Sequence, residues 1–152
     1  MVKAALLASA AHLLFGLLVG VTLFLFGPIP ALGVTGAYLA LLVFYSSPSK
    51  AAGIRPWPGI TPRAVIWGQL PGLALGIPFL VSPAGWVCPG EVAAFFLQIW
   101  HGVLIPLLPL VPTGDVGGLP LHFLFLGSAS FLVIGVSLIG AGVGIVTGRS
   151  PE

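Results

Sequence analysis

The chain predicts an all-α, polytopic membrane bundle, and three observations carry that prediction. Hydrophobic residues make up 58% of its 152 positions and the mean hydropathy is +1.18, more apolar surface than a water-soluble core can use. The apolar runs are about twenty residues long, the length of a helix across roughly 30 Å of hydrocarbon. They are continuous rather than alternating, which selects helices over a closed barrel. Five basic and three acidic residues are the whole charge inventory, and all lie at termini, in connections or at a segment edge. One transmembrane domain, residues 1–152, is expected, with five spans at about 4–26, 29–46, 64–82, 91–111 and 121–147.

The first span follows Met1-Val2-Lys3. Its apolar core is longer than that of a secretory signal and Ala8-Ser9-Ala10 comes too early for cleavage, so a retained helix is expected. Gly27-Pro28-Ile29-Pro30 leaves room only for a tight turn, which predicts a hairpin with the second span. The connection 47–63 holds Lys50, Arg55 and Arg63 among Pro48, Pro56, Pro58 and Pro62. With Lys3 it gathers four of the five basic residues on one face, and the positive-inside rule makes that face and the N-terminus cytoplasmic. Arg149 is then the exception. A re-entrant third segment, suggested by Pro71 and Pro78, would reduce the crossings to four and bring Arg149 inside as well.

Helices in lipid associate by close backbone approach, so small residues mark their contact faces. Ala5, Ser9, His12, Gly16 and Gly20 form one stripe on the first span. Gly68, Gly72 and Gly76 do so on the third, and Gly140, Gly144 and Gly148 on the last. Helix–helix or subunit contacts are expected at Gly16, Gly20, Gly72 and Gly76. The tyrosines and tryptophans read mostly as an interfacial belt.

His12 lies on the first stripe and so faces protein. Glu91, Ala94, Gln98 and His101 follow steps of three, four and three along the fourth span, which would align them on one face. At 1.5 Å per residue His12 is roughly 12 Å from one surface and His101 roughly 15 Å from the other, so the two can meet near mid-membrane. Two imidazoles at matched depth are what a low-spin haem b needs. His12 and His101 are therefore the candidate metal ligands, with Gln98 and His122 as further cofactor-binding candidates and Phe15, Phe95, Phe96 and Trp100 as lining. A quinone site is a second expectation. A third is that each histidine makes one hydrogen bond and only fixes helix contacts. His122, at the start of its span, also suits an interfacial hydrogen bond or a lipid headgroup.

Leu119-Pro120-Leu121-His122-Phe123-Leu124-Phe125-Leu126-Gly127, followed by Ile134-Gly135-Val136, resembles helices of the haem-copper oxidase subunit I superfamily and of the NnrS-like membrane proteins. Those helices carry a histidine at the start of a span and glycines along it. The paired-histidine signatures of the copper site are absent, so the resemblance does not imply reduction of oxygen or nitric oxide.

No nucleophile–base set, phosphate loop or paired carboxylate occurs, so catalysis by this chain alone is not expected. A net charge of +2 is too small for a nucleic-acid footprint. The expected partners are the lipid bilayer and other membrane subunits. The function expected is a small membrane subunit of an electron-transfer complex, binding haem b. The alternative is a channel or carrier for a neutral solute, favoured by the proline-broken helices, or a purely structural subunit.

Overall fold

The computed structural model describes residues 2–46, 62–81, 89–117 and 119–147. The connection around Lys50 and the segment containing Cys88 lie outside them. Six α-helices are described: α1 Val2–Phe26, α2 Pro28–Ser46, α3 Pro62–Gly68, α4 Leu70–Val81, α5 Pro89–Trp100 and α6 Leu121–Thr147, with a 3-10 helix at Gly102–Leu110 after α5. Three of them, α1, α2 and a 23-residue stretch of α6, are long and apolar enough to cross a membrane. The described residues are thus almost wholly helical, with three helices of membrane-crossing length and hydropathy.

Gly27 closes α1. Its φ of +86° is a left-handed conformation that only glycine adopts without strain, and its N–H bonds the Leu23 carbonyl at 3.1 Å. Pro28 can then open α2 at once, because a first-turn residue needs no N–H partner. The expected hairpin forms.

The third expected span, 64–82, is two helices in line. Pro71 has no N–H for the Trp67 carbonyl, and the rod bends at Gln69. Gly68 lies against Ala5, Ala8 and Ser9 of α1, and the Ser9 hydroxyl bonds the Gly68 carbonyl at 3.0 Å.

The fourth expected span, 91–111, is not one helix. In α geometry the rings of Pro106 and Pro109 would collide with the carbonyls of Gly102 and Ile105, so the chain changes at His101 (φ −96°, ψ 22°) to a nine-residue 3-10 helix. In that tighter register Pro106 has no N–H to give the Val103 carbonyl. Thr35 of α2 fills the gap, its hydroxyl 2.7 Å from that oxygen. Thr35→Val keeps the shape and removes the donor. It should cost about 1–3 kcal/mol for the bared carbonyl, measured as a lower melting temperature in detergent.

Side-chain contacts fix the direction of each element. Gln69 and Gly72 meet Ser130, and Gly76 meets Gly127, so α4 and α6 are antiparallel and the end of α4 lies beside the start of α6. Ser46 and Ser137 bond at 2.7 Å, joining the end of α2 to the later half of α6. One end of the bundle thus holds the start of α1, the end of α2, the start of α3 and the last part of α6. The Gly27 turn, the end of α4 and the start of α6 occupy the other. Leu97 of α5 packs on Leu75 and Phe123, near that second end, while Trp100 reaches Gly72 and Gln69 at mid-depth. The 3-10 helix then turns back, with Gly102 against Gly16 and Val103 at Thr35. Both arms leave an apex at His101 toward the same end. Each is about 18 Å long, from twelve residues at 1.5 Å and nine at 2.0 Å, close to half a bilayer. At that end Asp115–Val116 pairs antiparallel with Leu119–Pro120 before α6 begins.

The glycine contacts follow this packing. A Cβ on Gly72 would collide with Ser130 and the Trp100 indole, one on Gly76 with the Gly127 backbone, and one on Gly16 would come within 3.3 Å of the Val103 nitrogen. Gly20 makes no helix–helix contact within the chain, since nothing lies within 4 Å of its Cβ position. It borders an open crevice.

Candidate functional site: a buried histidine pair at the apex

His12 and His101 are both fully buried, and their ring centroids lie 5.6 Å apart at an interplanar angle of 80°. The apex brings His101 to the depth of His12 because α5 ends there. The close backbone approach of Gly16 and Gly102, with the Gly102 Cβ position 3.5 Å from the Gly16 Cα, seats the apex on α1. Each ring is held through one nitrogen. His12 Nδ1 lies 2.6 Å from the Tyr38 hydroxyl, and His101 Nε2 lies 3.2 Å from Ser130 Oγ.

The groups around the pair suit one tautomer of His101. Trp100 Nε1 can only donate, and it does so to Gln69 Oε1 at 3.2 Å. Ser130 reaches the same oxygen at 3.3 Å. With its one proton placed there, Ser130 Oγ accepts from His101 Nε2–H, the tautomer in which His101 Nδ1 keeps its lone pair. His101 Nδ1 and His12 Nε2 have no hydrogen-bond partner among the described residues. The Trp100 backbone carbonyl also approaches the His12 ring as an acceptor.

The other candidates are elsewhere. Gln98 is exposed: three residues before His101 in α5, it stands about 60° around the helix from it, and the edge of the core falls between the two. It lines an apolar crevice of about 620 Å³ with Gly16, Gly20, Phe24, Phe95 and Ile105, on the half of the bundle toward the Gly27 turn. Phe95 and Phe96 are exposed rather than lining the pair. Phe15 does approach the site, stacking on Tyr38 at 5.3 Å. His122 is exposed at the start of α6 and rests on Phe123, with ring centroids 4.3 Å apart.

Tyr38, Gln69 and Ser130 belong to the site without having been singled out as such. Tyr38 sits amid an apolar run like any belt aromatic, but it is seven residues inside its helix end, too deep for an interface. That depth was the available signal. Gln69 is the lone amide of its span, and a polar side chain at membrane depth points to a partner. Comparison with protein-family models, with curated proteins and with solved structures finds no match to this chain.

Proposed function

We propose that this chain is a small multi-pass subunit of a membrane electron-transfer assembly, with the His12–His101 pair as its cofactor-binding centre. One observation carries the reading: two adjacent, fully buried imidazoles, each anchored through one nitrogen, each keep the other bare. Metal-ligating histidines have this form, with the far nitrogen tied to a hydrogen-bonding group that sets ring orientation. A bare buried nitrogen otherwise costs free energy with no return.

Haem b requires a porphyrin plane between its two axial rings. Here the histidine rings meet each other directly, with the Tyr38 and Trp100 rings at 5.5 and 5.7 Å from His12. A porphyrin does not fit between them unless the apex withdraws. The full chain purified from haem- and metal-replete cells should carry a chromophore or a bound metal that is lost in His101→Ala. A colourless, metal-free protein moves the function to the channel, carrier or structural alternative.

In the membrane we assign four crossings, namely α1, α2, the α3–α4 rod and α6, with residues 89–110 re-entering from the outer side. This threading leaves Lys3, Lys50, Arg55, Arg63 and Arg149 all at the cytoplasmic end and Glu91 and Asp115 at the other, a better fit to the positive-inside rule than five crossings. Irregular backbone at mid-depth is tolerable here because protein covers the apex. The single Cys88 should react with a membrane-impermeant maleimide in intact cells. A cysteine appended to the C-terminus of Cys88→Ser should not, and its labelling would overturn the four-crossing threading.

A further inference from the structure

We infer that the ligand of the histidine pair is a single cuprous ion, bound by His12 Nε2 and His101 Nδ1; this rests on the proposed role of the pair as a cofactor centre. Three observations narrow the ligand to that ion.

The first is the donor set. With Ser130 donating to Gln69, His101 Nδ1 is a lone-pair donor; the His12 tautomer that gives its Nδ1–H to the Tyr38 oxygen makes His12 Nε2 another, and the ion selects that tautomer over the one in which the Tyr38 hydroxyl donates to Nδ1. Imidazole–metal bonds are about 2.0–2.1 Å long, so an ion between two such nitrogens holds them about 4 Å apart. In-line bonding would set the ring centroids about 6 Å apart, so the rings, now at 5.6 Å and edge to face, part slightly and turn their bare nitrogens toward the ion.

The second is ligand number. Among the described residues no group of three or more His, Cys, Asp or Glu is assembled. Zinc and most divalent ions seek four or more ligands. A filled-shell monovalent copper ion is satisfied by two nitrogens in line, and imidazole is a donor that copper accepts.

The third is charge. Among the described residues no carboxylate or thiolate joins the pair to neutralise a cation, and both rings are fully buried. The cost of burying an ion grows with the square of its charge, so a divalent ion costs about four times as much as a monovalent one. Two neutral imidazoles in lipid therefore select the +1 ion.

The test uses the full chain in detergent, loaded anaerobically with Cu(I) and challenged with the chelator bicinchoninate. One copper per chain is expected, with an X-ray absorption edge fitted by two nitrogen ligands at about 2 Å. His12→Ala and His101→Ala should lose it, and His122→Ala should retain it. Tyr38→Phe, which removes only the group orienting His12, should weaken binding about 10–100-fold. The absorption measurement on the unmodified chain decides the matter even if the alanine variants fail to fold. A Soret band without copper would overturn the cuprous assignment and leave the cofactor reading standing. Copper retained by both alanine variants would put the ion elsewhere in the chain and end the assignment. Neither haem nor copper would remove both readings.

Discussion

Gly76→Leu should unfold this protein in detergent well below the temperature at which Gly20→Leu does. The Gly76 Cβ position falls on the Gly127 carbonyl, a backbone atom that cannot rotate aside, so α4 and α6 must separate. Overpacking of this kind typically costs 1–3 kcal/mol and occasionally more, and in lipid no hydrophobic gain between helices offsets it. At Gly20 a leucine enters open space. The two variants add the same side chain to the same kind of glycine, so helix propensity and apolarity cancel between them. Equal melting temperatures would mean that α4 and α6 do not pack as described. Gly72→Leu should resemble Gly76→Leu in stability and also break the Trp100–Gln69–Ser130 network.

The second large effect is expected at the histidine pair. His12→Ala leaves the buried Tyr38 hydroxyl without its 2.6 Å partner, and His101→Ala takes from Ser130 the group that donates to it. Each should cost roughly 1–3 kcal/mol for the stranded polar group, with a further cost for the cavity where the ring was. The informative quantity is their coupling. Residues that meet through a shared ligand or a ring contact show interaction energies of about 0.5–3 kcal/mol, whereas independent sites add to within about 0.3–0.5 kcal/mol. The double variant should therefore be less damaged than the sum of the single variants. Additivity in denaturant titrations would mean that the two rings act separately, and that the pair is a coincidence of packing.

Hydropathy and charge made the membrane bundle legible, because the physics is local: a run of twenty apolar residues needs no tertiary partner to choose lipid. The α1–α2 hairpin was legible for the same reason, since Gly27 and Pro28 act within one turn. His12 and His101 were legible as candidates because depth along a helix is a matter of counting residues, and the counting matched them. Gln98 misled, because a step of three along a helix still leaves about 60° between two side chains, enough to bury His101 and expose Gln98. Gly20 meets no helix of its own chain, because a small-residue stripe records where backbones could approach and not which partner they meet.

Local pattern sufficed for the long apolar helices and for marking His12 and His101 as polar groups that could meet at depth, as their rings do. Packing between distant segments was needed to bend residues 89–110 into two arms and to gather Tyr38, Gln69, Ser130 and Trp100 around the histidines. The prolines at 106 and 109 forbid a continuous α-helix in either case. Whether the chain then kinks across the membrane or folds back depends on contacts with Gly16, Thr35, Leu75 and Phe123, residues from four other segments whose positions relative to one another no local pattern encodes.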